Sequence, residues 1–197
     1  MFFEIRGPFT IPRTICEDSL RNNRLSKRSK EAVSEFWEML GNETPGIATA
    51  CGCYLATVES LPKYVGKASR QTFSGECFHP HKIRHYKSAI KGRRGQVKLF
   101  FGVRVTPKGK FSKPSRSKDK SVGHRDVDLL EKLLIGDCLK RGSTLLNIKE
   151  TVLISKIEVP GFLNTTRGKG RAKAVQQFRN VLFGKSRRRS TGAGGST

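Results

Sequence analysis

The chain has 197 residues and a formal net charge of +23, because its 39 lysines and arginines far outnumber its 16 aspartates and glutamates. That length allows one domain with an ordinary hydrophobic core and appendages. Its apolar runs are far shorter than the roughly 18 residues of a membrane-spanning helix, and Glu4 and Arg6 stand where a secretion signal would be apolar. We therefore expect a cytoplasmic protein, nucleoid-associated if its source is bacterial, without a membrane partner.

The positive charge indicates a polyanionic partner, because a surplus of this size repels itself in a compact chain. Nucleic acid is the expected partner, with DNA favoured and RNA as the alternative, and an anionic membrane surface ranks behind both. Many basic proteins bind phosphate without catalysing a reaction, so the charge by itself predicts binding only.

The five cysteines form no disulfide framework, since their count is odd and their spacing is unpaired. We expect reduced thiols, as in cytosolic proteins. Cys51, Cys53, Cys77, His79 and His81 are candidate zinc ligands. Their single-residue gaps are shorter than the roughly two to four residues usual in structural zinc sites, so the pattern does not favour a zinc centre.

Residues 1–45 are predicted to form an N-terminal extension with one amphipathic helix. Pro8 and Pro12 break its first part into short extended pieces. Ser26 or Ser29 begins the helix, and Gly41 ends it. The core-facing side chains lie at helical spacing and are Ala32, Val33, Phe36, Trp37 and Leu40.

Residues 46–160 are predicted to form the central domain, which begins with a β-hairpin. Its strands cover 48–58 and 63–67, and the turn lies at residues 61–62. A basic helix follows over 81–91 and ends at a glycine. The clean alternation of apolar residues over 97–105 predicts a half-buried strand.

A basic loop over residues 106–125 separates this strand from the last strongly periodic helix. The loop is rich in Lys, Arg, Ser, Pro and Gly, and it is expected to be mobile and to face the partner. Asp126 or Asp128 begins the helix, which closes at residues 141–142. The side chains predicted to be buried on it are Leu130, Leu133, Leu134, Cys138 and Leu139.

The remainder is predicted to contain a strand over 151–159 and then, over residues 161–197, a basic C-terminal helix and a disordered tail. No acidic residue follows Glu158, which favours contact with a DNA backbone over a merely solubilising surface. Such contacts give affinity rather than sequence choice. The predicted nucleic-acid contacts of the chain are Lys67, Lys108, Lys110, Lys113, Arg116, Arg171, Arg187 and Arg188.

Two tyrosine motifs lie on the predicted hairpin, Gly52-Cys53-Tyr54 and Tyr64-Val65-Gly66. Either motif alone would indicate only packing across a hairpin. They are followed by the basic helix, Glu131 and Asn147, and in this order the set resembles the GIY-YIG nuclease family, with cysteine and valine in place of the two isoleucines. The likeness covers about residues 50–148, half of the chain.

The resemblance implies an α+β fold, in which a small three-stranded antiparallel sheet is flanked by helices and carries extra N- and C-terminal elements. It also implies a metal-dependent DNA endonuclease that leaves a 5′-phosphate and a 3′-hydroxyl. Glu131 would be the protein ligand of Mg²⁺ or Mn²⁺, a hard cation that keeps open positions for water and phosphate oxygens. Tyr54 would help to deprotonate the attacking water, and Tyr64 would position a phosphate oxygen or that water. Asn147 would hold the surroundings of the metal by hydrogen bonding.

The basic helix departs from the family's pattern of an arginine followed one turn later by a histidine or tyrosine. Arg84 has no such partner, whereas Lys82 is followed by Tyr86 and His81 by His85. Residues four apart share a helix face, so either pair could reach one phosphate. Lys82 and Tyr86 are preferred, because a lysine can replace an arginine as the positive charge at a phosphate. Arg84 is kept as a further candidate on the next face.

The leading hypothesis is therefore a metal-dependent DNA endonuclease. The missing arginine–histidine pair motivates a second hypothesis, a nucleic-acid-binding module that keeps the scaffold without cleaving. A third, an RNA- or ribosome-associated basic protein, would have the same charge without needing Glu131. Nicking of DNA that depends on Mg²⁺ or Mn²⁺ separates the first hypothesis from the other two.

Overall fold

A four-stranded antiparallel sheet lies at the centre of the computed structural model, which describes residues 2–115, 124–146 and 177. The chain divides into two units, and the sheet belongs to the first, Met1–Thr151. Helices flank the sheet, so the predicted α+β class is confirmed. In chain order the strands are β1 (Phe2–Thr10), β2 (Gly52–Val58), β3 (Leu61–Ala68) and β4 (Val97–Val105), and across the sheet they follow the order β1-β4-β2-β3.

The expectation of three strands is wrong, because β1 adds a fourth strand beside β4. β1 lies within the predicted extension 1–45 and pairs with β4 along its length. The register shifts between Arg6 and Phe9. Pro8, which has no N–H to donate, therefore lies where the ladder is already interrupted. The sequence pattern predicted short extended pieces interrupted by Pro8, whereas Phe2–Thr10 forms one strand that includes the proline.

The described helices differ greatly in length. The long ones correspond to the predicted periodic segments, whereas α1 and α3 are single turns that are too short to show a period. A 3₁₀ turn over Ile47–Thr49 precedes β2, so this strand begins later than predicted. The helices are α1 (Arg13–Cys16), α2 (Lys27–Glu43), α3 (Phe73–Glu76), α4 (Pro80–Ile90) and α5 (Arg125–Lys140).

The N-terminus of α2 is capped by Ser26, one of its two predicted starting residues. The Ser26 hydroxyl accepts a hydrogen bond from the backbone N–H of Ser29 at 3.2 Å, as an N-cap serine does. At the other end the helix passes through Gly41 to Glu43. A glycine within a helix costs about 1 kcal/mol relative to alanine but does not stop the helix, so the predicted end at Gly41 is wrong.

The two faces of the sheet are covered by different helices. Tyr54 points to the face that packs on α2 and α4, and it shares a core cluster with Leu40 and Ile83. The next residue, Cys53, points to the opposite face and donates its thiol to the Val127 carbonyl of α5 at 3.2 Å. Because successive side chains of a strand alternate between faces, the two tyrosine motifs lie mainly on the α4 side.

Helix α5 is rotated relative to its predicted orientation. The residues that it buries are Val127, Glu131, Ile135 and Cys138, and of these only Cys138 was expected. Leu133, which was predicted to be buried, is 60% exposed. This rotation turns the carboxylate of Glu131 towards the sheet, between two apolar side chains.

Several expectations lie outside the described residues. They concern the strand over 151–159, the tail, and the helix over 172–183, of which the structure describes only Gln177, in helical conformation and exposed. Within the described ranges, no helix has the length and apolar character required to cross a membrane.

Candidate active site

Tyr64 of β3 and Lys82 of α4 form the centre of the first cluster of polar groups. The Lys82 ammonium donates a hydrogen bond to the Tyr64 hydroxyl and lies 4.8 Å from the centroid of its ring. It also forms an ion pair with Glu76 at 3.1 Å. Lys82 and Tyr64 are each only 7% exposed, so this is a nearly buried charge that is held by a phenol and a carboxylate.

The protonation states in this cluster follow from its burial and charges. Burial raises the pKa of Tyr64 above its ordinary value, and although the nearby Lys82 opposes this, the negative charge of Glu131 adds to it. Burial lowers the pKa of Lys82, but the contacts with Tyr64 and Glu76 outweigh it and leave this pKa raised. Near neutral pH the lysine is therefore charged and the phenol is neutral. The phenol accepts one hydrogen bond and keeps its own proton to donate.

Glu131 of α5 and Lys67 of β3 form the second cluster. The Lys67 ammonium lies 2.9 Å from the carboxylate of Glu131 and 2.9 Å from that of Asp128. Glu131 is 7% exposed. Burial lowers the pKa of Lys67, but its hydrogen bonds to the two carboxylates outweigh this effect and raise the pKa. Two carboxylates thus converge on one positive charge.

The two clusters flank β3 from opposite faces. Tyr64 points towards α4, whereas Lys67, three residues later, points towards α5, as the alternation of a strand requires. Tyr64 and Glu131 therefore do not share a face, although the charge of Glu131 still contributes to the raised pKa of Tyr64. Among the described strands, β3 is the edge strand at one end of the order β1-β4-β2-β3, so both clusters lie next to that edge.

Tyr54 lies on the same face as Tyr64, with 6.1 Å between the ring centroids. Its side chain is completely buried, and its hydroxyl has no hydrogen-bond partner among the described residues. Burial raises the pKa of this phenol far above its ordinary value. In this conformation the hydroxyl contacts no solvent and is a poor proton acceptor, so the predicted role in activating water stays a prediction.

Gly66 of the second motif makes room for this ring. Gly66 is the cross-strand partner of Tyr54, and a Cβ on it would lie 2.3 Å from the Tyr54 ring carbon that carries the hydroxyl. Any larger residue would displace the tyrosine. The glycine of one motif and the tyrosine of the other are therefore joined by packing.

The other residues predicted on the basic helix lie apart from Lys82. Tyr86 is buried and donates its hydroxyl to the Cys77 carbonyl at 3.1 Å, which makes it part of the core. Arg84 is exposed and donates to the side-chain oxygen of Asn23. Of these three predicted residues, the structure brings Lys82 alone to Tyr64.

The predicted nucleic-acid contacts are only partly described. Lys108, Lys110 and Lys113 are exposed in the described part of the basic loop, whereas Lys67 is held by two carboxylates. The predicted contacts that lie outside the described ranges are Arg116, Arg171, Arg187 and Arg188.

Asn147, which was predicted to support the metal site, also lies outside the described ranges. The residue before it, Leu146, donates its backbone N–H to the Lys63 carbonyl of β3 at 2.8 Å.

Two residues of the clusters were not predicted as site residues from the sequence. Asp128 lies one turn before Glu131 on α5, a spacing that places both on one helix face and that could have indicated it. Glu76 belongs to the single-turn helix α3, which gave no signal. His85, which the sequence offered with His81 as the alternative pair, stacks on Tyr64 with a centroid distance of 4.9 Å. Burial and the charge of Lys82 lower the pKa of His85, so this imidazole is neutral near neutral pH.

Oxygen donors suited to a hard cation are present, but a preformed cage is not. Within the described ranges, no group of three or more His, Cys, Asp or Glu side chains is arranged to hold a metal ion. The five cysteines are free and buried. Any divalent cation would have to bind through one or two carboxylates, with water and substrate as its other ligands.

Comparison with known proteins gives no relative. No protein-family model matches the chain, and neither the curated proteins nor the solved structures contain a significant match. Functional conclusions about this chain therefore depend on its own residues and their geometry.

Proposed function

We propose that this protein is a metal-dependent DNA endonuclease that hydrolyses a phosphodiester bond beside β3. The observation that carries the proposal is the contact between Lys82 and Tyr64, which holds a neutral phenol with its proton free to donate next to a buried ammonium group. A hydrogen-bond donor and a positive charge held in place are what the developing charge of a phosphoryl transition state requires.

The donor set on the other face of β3 fits Mg²⁺ or Mn²⁺. Glu131 and Asp128 offer carboxylate oxygens that converge on one cation, at present the Lys67 ammonium. Hard divalent cations bind through such oxygens and retain several waters. When bound, the metal would supply a more acidic water and would polarise the phosphate. Glu131 would hold it, and Lys67 would have to move away from the carboxylates.

The side chains on the α4 side have separate roles in this proposal. Tyr64 donates its proton to a non-bridging phosphate oxygen and so orients the phosphate. Lys82 does not need to contact the substrate directly, because its charge stabilises negative charge that develops at the Tyr64 hydroxyl. The neutral His85 stacks on the ring and restricts its rotation. The products expected from the resemblance carry a 5′-phosphate and a 3′-hydroxyl.

A second candidate function is a nucleic-acid-binding module without cleavage. It is favoured by two observations: the Tyr54 hydroxyl is fully enclosed, and Lys67 neutralises the carboxylates that a metal would need. In that case the two clusters would stabilise the fold, and the positive charge alone would bind DNA.

A plasmid-nicking assay distinguishes the endonuclease from the non-cleaving binding module. Supercoiled DNA is incubated with wild-type protein in Mg²⁺ or Mn²⁺, with an EDTA control, and the Glu131→Gln variant is assayed beside it. We expect metal-dependent nicking by the wild type and its loss in this variant, with DNA binding retained. The matched control is Glu35→Gln on the exposed surface of α2, which should nick normally. Equal nicking by Glu131→Gln and wild type would overturn the proposal, and no nicking by any of them would favour the binding module.

A further inference from the structure

A second basic surface lies at the end of α4 that is away from Lys82. It surrounds a cavity of about 730 Å³ between α1, α4 and the turn that follows α4. Six of its lining residues are basic and only one, Glu17, is acidic. We call this surface the basic groove and define it by its cations: Arg13, Arg84, Lys87, Lys91, Arg93 and Arg94.

The spacing of the cations on α4 gives the groove a continuous wall. Arg84 and Lys87 lie three residues apart on one face of α4, and Lys91 directly follows the last residue of the helix. All three are exposed, while Ile83 and Ile90 on the other side are buried. This helix therefore presents a basic stripe to the groove and an apolar stripe to the core.

Some of these cations are held in place, and others are free to bind. Arg13 forms an ion pair with Glu17 at 2.8 Å, and Lys87 donates to the Asp18 carbonyl at 3.3 Å. Lys91 and Arg94 are exposed, and their side chains form no ion pair or hydrogen bond among the described residues. A cluster with so few acidic partners repels itself unless an anion binds.

The groove also continues along the protein surface. An adjoining cavity of about 520 Å³ shares Arg13 and Arg94 with it and adds Lys98 of β4. Basic residues near the C-terminus of α4 could also be explained without a ligand, because they compensate the helix dipole. This explanation does not apply to Arg13 or Lys98, which belong to other elements. An extended track of cations fits an extended polyanion better than a single phosphate ion.

We propose that the basic groove binds the phosphate backbone of duplex DNA, as a contact surface separate from the candidate active site. This inference rests on the proposed function only for the choice of DNA as the polyanion. Arg84 and Lys87 lie about 200° and 140° around the helix axis from Lys82, at roughly 100° per residue, so the groove lies on the opposite side of α4 from Lys82. Phosphate contacts position a duplex without reading its sequence.

Fluorescence anisotropy in EDTA tests the groove separately from cleavage. A labelled duplex of about 20 base pairs is titrated with wild-type protein, with the double variant Lys91→Gln/Arg94→Gln, and with a charge-matched control, Lys132→Gln/Arg141→Gln. We expect the groove variant to bind at least about tenfold more weakly, with a salt slope shallower by about 2 because two phosphate contacts are lost. The control should change by less than about twofold.

Three outcomes would overturn the groove assignment. They are unchanged binding by the groove variant, an equal loss in the control, and a loss of binding that appears only with duplex RNA or with anionic phospholipid vesicles. Because the assay contains no divalent metal, loss of binding in the groove variant would support the groove even if plasmid nicking failed. Nicking that depends on Glu131 would conversely support the endonuclease even if the groove variant bound normally.

Discussion

The ammonium group of Lys67 lies 2.9 Å from the carboxylate of Glu131, the carboxylate that is proposed to hold a divalent cation. Asp128 contacts the same ammonium at 2.9 Å. An ion pair of this kind keeps a nearly buried carboxylate compensated in the absence of metal, since an unpaired buried charge is strongly destabilising. Lys67 and a metal ion are therefore expected to compete for Glu131.

This competition predicts that Lys67→Met binds Mn²⁺ more tightly than the wild type. Removing the ammonium leaves two carboxylates without their cation, and we expect about tenfold higher affinity, equivalent to about 1.4 kcal/mol. Titration calorimetry or the electron paramagnetic resonance signal of free Mn²⁺ measures it. Lys63→Met on the same strand is the control and should not differ from the wild type. Weaker Mn²⁺ binding by Lys67→Met would show that Lys67 does not compete with the metal.

Two glycine-to-alanine substitutions are predicted to change stability in opposite directions, because Gly66 packs against Tyr54 whereas Gly136 has open space around it. Gly66→Ala introduces a Cβ 2.3 Å from the buried ring, and overpacking of this kind costs about 1–3 kcal/mol. Gly136→Ala, within α5, has open space around its Cβ and should stabilise the helix by up to about 1 kcal/mol. Urea denaturation measures both. If Gly66→Ala were as stable as the wild type, the tyrosine would not be fixed as described.

The buried tyrosine hydroxyls predict a second pair of opposite changes. Tyr54→Phe removes a hydroxyl that has no partner among the described residues, so we expect the free energy of unfolding to rise by about 1 kcal/mol. Tyr86→Phe removes a hydrogen bond to the Cys77 carbonyl and should lower it by about 1 kcal/mol. Thermal and urea unfolding report both values. Nicking by a stable Tyr54→Phe protein also tests the predicted catalytic role of that hydroxyl, because loss of nicking without loss of stability would support it.

Asp18 is expected to contribute to the loss of stability of the folded protein at acidic pH. Burial favours its neutral form, but hydrogen bonds from Ser29, Leu20 and Ser26 outweigh this and lower the pKa of Asp18 from 3.8 to about 2. A lowered folded-state pKa stabilises the protein above the unfolded pKa, and the stabilisation is lost as the pH falls through the folded value. We expect Asp18→Asn to be about 2 kcal/mol less stable than the wild type at pH 7, and the difference to shrink to about half by pH 3. Urea unfolding at the two pH values measures it, and an unchanged difference would contradict the assignment.

The sequence predicted best the elements with a strong apolar period. The structure has β4 at the predicted bounds and α4 within one residue of them. The sequence predicted β1 poorly. Pro8 suggested that the extended segment is interrupted there, but in the structure the strand continues and only its register with β4 shifts. The short helix α3, which supplies Glu76 to the candidate site, is too short for any pattern to indicate it.

Residues of the site were predictable as types but not as neighbours. The helical spacing grouped Lys82 with Tyr86, but spacing does not show which of the two side chains packs in the core. In the structure the Tyr86 ring is part of the core, and the Lys82 ammonium contacts Tyr64. The leucines of α5 suggested one buried stripe, but the helix is rotated so that Glu131 is buried instead. The buried Glu131 is paired with Lys67, a partner more than sixty positions away that local periodicity cannot show.

The rate of plasmid nicking by Tyr64→Phe tests the central claim most directly, because this substitution removes only the hydroxyl that Lys82 holds. We predict that the variant binds DNA like the wild type but nicks it about 100-fold more slowly, which is typical of the loss of one donor to a developing negative charge. A nicking rate equal to that of the wild type, at equal DNA binding, would contradict the account.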